Sequence, residues 1–296
     1  MKPVYILRSW IDEMSLHPYY LSQNRLAVDY LKKNWCKISW ISLSSNPNAI
    51  DILEKKQDWI HWVVISGNEN AVHIMKQNLE KIDWSILSAN PNQYAIQMLK
   101  ENPEKINWKI LSANTSPFAI ELLKNNQEKI DWYALSENPS AIEILEKNKN
   151  SIYWSMLSGN ANAIHLLKEH PERINWNYLS KNPNAIDMLK ANEEKINWKY
   201  LSENINAIEI LEKNPEKINW SVLSSNPSAI RLLEKNKEKI DWMLISTNVG
   251  IFELDYVQMK KNANSLNEEI LEIVLHPNRV QYYKTKYEFD IRDLYY

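Results

Sequence analysis

Residues 196–214 read Ile-Asn-Trp-Lys-Tyr-Leu-Ser-Glu-Asn-Ile-Asn-Ala-Ile-Glu-Ile-Leu-Glu-Lys-Asn, and the phrase begins again at Ile218. Its tryptophan recurs at 40, 62, 84, 108, 132, 154, 176, 198, 220 and 242, so the period is 22 residues apart from two neighbouring steps of 24. A fixed period of this length is typical of a stacked-repeat protein. The sequence therefore predicts an all-α fold, an α-solenoid of about ten 22–24-residue two-helix repeats with N- and C-terminal helical caps.

Local signals within each copy, numbered from its tryptophan as position 1, predict two short helices, A and B. Asparagine or aspartate at position 22 precedes the tryptophan and can cap helix A. Asn-Pro at positions 7 and 8, as in Asn138-Pro139, is typical of the start of helix B. Ala, Ile, an aliphatic residue and Leu at positions 10, 11, 13 and 14 form one apolar face. Helices this short do not persist alone in water, so each copy must pack on its neighbours.

The tryptophan stands once in every layer, near the leucine at position 4. We interpret the indole rings as a buried interior spine that joins successive layers. At about 10 Å per layer, the stack is expected to form a rod or superhelix on the order of 100 Å long.

The ends of the chain depart from the repeated phrase. Residues 1–17 carry a helical apolar stripe and are interpreted as an N-terminal helical cap, because the end of a stacked core must be covered. The tandem-repeat solenoid is assigned to residues 18–248, with a degenerate first copy at Pro18. Residues 249–296 are interpreted as a C-terminal helical cap, with one helix over 251–261 and a capping box at Ser265–Glu268.

The composition narrows the range of functions. Thirty-five basic and 37 acidic residues leave a net charge of −2, which favours neither nucleic acid nor an anionic membrane as partner. With three glycines, the chain has no glycine-rich phosphate loop. A single cysteine, Cys36, and an N-terminus without a secretory apolar core predict an intracellular location.

The sequence predicts no catalytic, cofactor-binding or metal-binding residue, and hence no enzyme. His73 and His165 share position 12 but lie four layers apart, or about 40 Å, too far to share a metal. The serine at position 5 occurs in every copy and is expected to cap backbone groups. Lysine or arginine at position 20 follows glutamate at position 19, which predicts a solvated edge of both signs.

One irregularity marks a candidate partner-binding site. The copies at Trp84 and Trp108 each gain two residues in the A–B turn, and repeat insertions often map to the binding face. Exposed aromatic residues are favoured as interface anchors. The alternative is that duplication of one copy spread a harmless insertion. The candidate residues are Gln93, Tyr94, Thr115 and Phe118.

The phrase resembles the short tandem repeats of uncharacterised proteins of giant DNA viruses that infect amoebae. The matching stretches are Ile174-Asn-Trp-Asn-Tyr-Leu-Ser-Lys-Asn-Pro-Asn-Ala-Ile186, its sister copies and Leu275-His-Pro-Asn-Arg-Val280, and the similarity covers roughly residues 10–285. The resemblance implies an α-solenoid of viral origin, located in the infected host cell or the virion. It implies no known activity.

Four functions follow from these observations as hypotheses. The leading one is a non-enzymatic scaffold for protein–protein interaction with an unknown host or viral protein, because polar positions vary between copies on a constant framework. The alternative is a structural or self-assembling component of a viral particle. Reading of nucleic acid, one base per repeat, is disfavoured by the balanced charge. An enzyme would need a unique polar cluster that the sequence lacks.

Overall fold

A computed structural model describes residues 3–264. The chain divides into two compact units. The larger unit is Arg8–Ile251 and holds the repeats; the smaller unit combines Met1–Leu7 with Phe252–Tyr296.

The larger unit consists of eleven layers, and the first ten contain two helices each. The A helices are α1 Pro18–Gln23, α3 Trp40–Ser44, α5 Trp62–Ile65, α7 Trp84–Leu87, α9 Trp108–Ala113, α11 Trp132–Glu137, α13 Trp154–Leu157, α15 Trp176–Lys181, α17 Trp198–Glu203, α19 Trp220–Ser224 and α21 Trp242–Ile245. The B helices are α2 Val28–Lys33, α4 Ile50–Lys55, α6 Val72–Lys76, α8 Gln93–Glu101, α10 Pro117–Lys124, α12 Ile142–Lys147, α14 Ile164–Glu169, α16 Ile186–Lys190, α18 Ile208–Lys213 and α20 Ile230–Glu234. The predicted all-α repeat fold is confirmed.

The apolar core follows the predicted face of helix B together with position 4 of helix A. In the layer at Trp132, Leu135, Ala141 and Leu145 are fully buried, and Ile144 is 3% exposed. The isoleucine at position 21 is also buried, for example Ile130 at 8%. Each core residue recurs in neighbouring layers, so the core runs continuously through the stack.

The tryptophan rings are not part of that core, and the predicted interior spine is wrong. Every position-1 tryptophan from Trp40 to Trp242 is only half-buried. The residues that join the layers are instead two columns of buried polar side chains, the serine at position 5 and the asparagine at position 7.

The asparagine ladder is the column of position-7 side chains. Each side-chain amide donates to two carbonyls of the preceding layer, those of the serine at position 5 and the asparagine at position 7, over 2.8–3.2 Å. The amide oxygen of Asn182 accepts from the backbone N–H of Asn184 at 3.0 Å. Both N–H donors and one oxygen lone pair of such an amide are therefore used between or within layers. Its members are Asn24, Asn46, Asn68, Asn90, Asn114, Asn138, Asn160, Asn182, Asn204, Asn226 and Asn248.

The serine at position 5 forms a second ladder, which links each layer to the cap of the next A helix. The hydroxyl of Ser180 donates to the Trp176 carbonyl at 2.7 Å and accepts from the backbone N–H of Asn197 at 2.9 Å. The expectation that this serine satisfies backbone groups is confirmed, and the position-5 serines are fully buried in nearly all layers.

Both ladders pass from the last layer back to the first. The Asn24 amide donates to the carbonyls of Ser246 at 3.2 Å and Asn248 at 3.0 Å, and the His17 N–H donates to the Ser246 hydroxyl at 2.9 Å. An open stack of eleven layers would contain ten such interfaces, whereas every one of the eleven asparagines has its partner layer. The larger unit, which holds the repeats, is therefore a closed ring, and the prediction of an open rod or superhelix is wrong.

Helices A form the inner wall of this ring. Neighbouring A helices pack closely, as α9 does on α11 and α15 on α17, whereas neighbouring B helices in the described chain contact each other less, even α8 and α10. In a closed ring, the elements nearer the axis are more closely spaced. An ion pair supports this: Lys181 Nζ lies 2.5 Å from Glu137 Oε1 across the intervening layer, which has Gly159 at that position. Eleven layers at about 8–10 Å give a ring roughly 30 Å across at the inner helices.

The capping signals are confirmed in most copies and modified in two respects. Asp83, Asn107, Asp131, Asn175, Asn197, Asn219 and Asp241 accept from backbone N–H groups of the following helix. His61, in the same position, makes no such side-chain bond. In the 22-residue copies, helix B begins at position 11 rather than at the proline, because Ala at position 10 has the bridge conformation seen at Ala141, with φ −98° and ψ 9°.

The smaller unit differs from both predicted caps. Tyr5–Leu7 is a strand, β1, which pairs antiparallel with β2, Phe252–Leu254, and no helix lies in residues 3–17. The helical cap predicted over 1–17 is therefore wrong, because the extended pairing overrides the helical stripe. Within the predicted helix over 251–261, the helix starts at residue 256 and continues to 264, where the description ends. The capping box at Ser265–Glu268 and the rest of the predicted C-terminal cap lie outside the described residues.

Candidate protein-interaction surfaces

The two insertions lengthen B helices instead of forming loops. Gln93 and Tyr94 open α8, where the Asn92 side chain accepts from the Tyr94 N–H at 2.9 Å. Thr115 precedes α10, which begins with a proline. Tyr94 is 55% exposed and Phe118 is 37% exposed, and Gln93 and Thr115 are exposed too. The four candidate residues thus lie at the starts of adjacent outer helices, as the sequence predicted for neighbouring layers.

A groove follows the second insertion along the outer wall. Thr115, Pro117 and Lys124 line a cavity of about 290 Å³ between α10 and the next layer. Lys124 also lines an adjoining cavity of about 440 Å³ that reaches Glu143 and Lys147. At the first insertion, Lys76 Nζ lies 4.4 Å from the centre of the Tyr94 ring, which fixes that ring by a cation–π contact.

The floor of the groove carries an ion triad. Glu143 lies between Lys124 Nζ at 2.5 Å and Lys147 Nζ at 2.8 Å. Hydrogen bonds from the two ammonium groups, Lys124 first, lower the pKa of Glu143 from 4.5 to about 2. Because the carboxylate is exposed, this triad shapes the charge of the groove more than it stabilises the fold.

Position 2 of helix A, one of the polar positions expected from the sequence to vary between copies and to form the binding surface, is a largely exposed column on the inner wall. The side chain there changes from layer to layer: tyrosine, isoleucine, valine, serine, lysine, asparagine or methionine. Ring closure places Met243 of the last layer next to Tyr19 of the first, followed by Ile41 and Val63. These four side chains are 41–48% exposed and form a continuous apolar arc. The signal in the sequence was that the first and last copies are both apolar at this position.

The edge formed by positions 18–20, which link each layer to the next and which we call the link edge, also differs from its prediction. Six of the cations at position 20 lie over the tryptophan rings of their own layers at 4.2–4.9 Å, and one of the six, Arg173, also pairs with Glu172 at position 19, at 3.5 Å. The pairs are Lys81 on Trp62, Lys105 on Trp84, Arg173 on Trp154, Lys195 on Trp176, Lys217 on Trp198 and Lys239 on Trp220. In these six layers one face of the indole packs on the layer and the other carries a cation.

The histidines that the sequence analysis weighed as metal ligands lie within hydrogen-bond distance of glutamates. His73 Nε2 lies 2.6 Å from Glu54 Oε1, and His165 Nε2 lies 2.8 Å from Glu146 Oε1. Each pair joins neighbouring layers on the outer wall. Within residues 3–264, no three His, Cys, Asp or Glu side chains are grouped as metal ligands would be. Cys36 is exposed.

Comparison with known proteins identified no relative of this chain. No protein-family model, no curated protein and no solved structure matches this chain. In the part of the chain that the structure covers, none of the helices combines the length and apolar character needed to span a bilayer.

Proposed function

We propose that this chain is a non-enzymatic scaffold that binds other proteins on the exposed faces of a closed repeat ring. The observation that carries the proposal is the position-2 column, where a constant backbone presents seven types of side chain in eleven layers and neighbouring layers always differ. The apolar arc of Met243, Tyr19, Ile41 and Val63 is the part of this column suited to bury apolar partner surface.

The framework supports a binding role for a physical reason. The asparagine and serine ladders are buried and hydrogen-bonded between layers, so these recurring side chains hold the layers together. A surface fixed in this way loses little conformational entropy when a partner binds. The exposed aromatic residues Tyr94 and Phe118 offer a second surface on the outer wall, and the groove beside Thr115 adjoins it.

Affinity capture from the native cell, followed by quantitative mass spectrometry, tests the proposal. The double variant Ile41→Ser, Val63→Ser removes the centre of the arc, and Asn177→Ser, Lys199→Ser is the matched control in the same column. We expect specific proteins to be retained by the parent and the control and lost by the arc variant. Identical capture by all three proteins would refute the arc as a binding surface. Concentration-dependent light scattering that the arc variant abolishes would assign the arc to self-assembly instead.

We place this scaffold inside the cell, in the infected host cell or the virion, as the repeat resemblance implies. Fractionation of infected cells and purified particles, read by antibody, tests that location.

A further inference from the structure

The link edge of the first two layers departs from the pattern of six later layers, in which a lysine or arginine lies over the tryptophan ring. Position 20 of the layer at Trp40 is Trp59 instead of lysine or arginine. Position 18 of the layer at Pro18 is Trp35, where the layers at Trp84, Trp154 and Trp198 have proline. Two neighbouring layers thus carry an extra tryptophan in place of a cation or a proline.

These substitutions build a three-indole cluster, which we call the tryptophan patch. The Trp40 ring lies between the other two, with its centre 6.0 Å from that of Trp35 and 5.2 Å from that of Trp59. Both outer residues are held in short 3-10 turns, Trp35–Lys37 and Gln57–Trp59. Trp35 is 48% exposed and Trp59 is 57% exposed.

The exposure of the two outer rings has no structural explanation. Elsewhere on this edge, a lysine or arginine head covers the tryptophan and is hydrated on its outer side, so the pattern of the chain already supplies a stable solution. Tryptophan in this place leaves a large apolar surface in water instead. Exposed tryptophan is the residue type most enriched among binding hot spots, because a rigid ring buries much area at little entropic cost.

The charge around the patch indicates the sign of its partner. Lys33 and Lys55 end the B helices of the two layers at equivalent positions, and Lys56 follows directly. All three are exposed and form no ion pair within residues 3–264, whereas Lys32 nearby is paired with Asp51 at 2.6 Å. Glu54, which pairs with His73 at 2.6 Å, and Asp58 are the exposed carboxylates beside these three lysines, so positive charge exceeds negative charge among these residues.

We propose that the tryptophan patch, with Lys33, Lys55 and Lys56 at its border, is a docking site for an acidic segment of a partner protein that carries aromatic or aliphatic anchors. The anchors pack on Trp35 and Trp59, and the acidic groups pair with the lysines. The inference rests on the proposed scaffold function and names the partner chemistry of one surface. An anionic membrane fits less well, because lipid headgroups are typically recognised by clusters of about four to eight basic residues, and this border has three lysines.

The chain offers a variant that removes the patch without disturbing the layer. Trp35→Pro and Trp59→Lys restore the residues that other layers carry at the same positions. Asn34, before Trp35, has φ −130° and ψ 62°, and Asn102, before Pro103, has φ −134° and ψ 64°, so the backbone accepts proline. Lysine at 59 can lie over Trp40 as Lys81 lies over Trp62. Unchanged thermal unfolding by circular dichroism verifies that the variant is folded.

Selection from a phage-displayed random peptide library, with the full chain as target, tests the inference. We expect enrichment of peptides that combine Asp or Glu with Trp, Phe or Leu. Fluorescence anisotropy with the enriched peptide should show binding weakened about thirtyfold or more by the double variant, weakened by salt, and unchanged by Ile41→Ser, Val63→Ser.

Each other outcome overturns the inference. Enrichment of basic or uncharged peptides contradicts the charge argument, and equal affinity of parent and double variant removes the tryptophans from the site. Variant-sensitive binding to phosphatidylserine vesicles without binding to acidic peptides assigns the patch to membranes. The scaffold proposal is tested independently by affinity capture, and it fails if the arc variant captures the same proteins as the parent.

Discussion

The asparagine ladder yields the sharpest stability prediction. Asn182 is fully buried, and its amide donates to the carbonyls of Ser158 at 3.0 Å and Asn160 at 2.8 Å, while its oxygen accepts from Asn184 N–H at 3.0 Å. Asn182→Ala removes three hydrogen bonds, each with a net value of about 0.5–1.5 kcal/mol. The variant also leaves a buried carbonyl without its side-chain donor, which costs about 1–3 kcal/mol more. Together these contributions predict a loss of about 2.5–7.5 kcal/mol in the free energy of unfolding.

The matched control is the neighbouring Asn184→Ala. Asn184 also donates across layers, to the Ala161 carbonyl at 2.8 Å, but the residue is exposed. Water replaces an exposed bond, so we expect a loss of about 1 kcal/mol or less. Urea unfolding followed by circular dichroism, with linear extrapolation, measures both free energies. A loss for Asn182→Ala within about 1 kcal/mol of the control would refute the ladder as the link between layers.

Three further predictions concern single contacts. A double-mutant cycle on Trp198 and Lys217, whose ammonium lies 4.5 Å from the ring centre, should give a coupling of about 0.5–1 kcal/mol; zero coupling would show that the cation is not held on the indole. Asp131→Ala should cost about 1 kcal/mol by urea unfolding, because it removes the cap bond to Ala134 N–H; no loss would contradict the capping role. The side-chain carboxyl of Glu143 should titrate by NMR at a pKa of about 2, and Lys124→Ala should raise that midpoint towards 4.5. Since the folded pKa is lowered, the stabilising contribution of Glu143 is present above pH 4.5 and is lost as the pH falls through about 2.

The repeat period determined much of the fold in advance, because each layer repeats the same local signals. The capping aspartates and asparagines, the apolar face of helix B and the buried serine followed from residue type and spacing alone. The indole rings were misassigned because a column of large aromatic residues is equally consistent with a core and with a half-covered edge. The cation at position 20 decides between the core and the edge. From the sequence we expected this cation on a solvated edge beside a glutamate, whereas the structure has Lys217 over the ring of Trp198.

Ring closure could not be read from one copy. It depends on the small rotation between layers, which accumulates over eleven layers and is set by the relative sizes of the inner and outer helices. The apolar arc could not be predicted for the same reason. Met243 and Tyr19 are far apart in sequence and are adjacent only because the ring closes, where the Asn24 amide donates to the Asn248 carbonyl. By contrast, the exposure of Tyr94 was expected from its insertion into the A–B turn, and that of Phe118 from its place at position 9, where other copies carry a small polar residue.

Double electron–electron resonance between spin labels tests the closed ring most directly. In a Cys36→Ser background, one pair of labels replaces the exposed Lys33 and Lys235, which are two layers apart across the closure. The matched pair replaces Lys33 and Gln77, which are two layers apart along the chain. The closed ring predicts distance distributions that coincide for the two pairs. A distance for Lys33 and Lys235 near the roughly 90 Å of nine stacked layers would show an open array and contradict the ring.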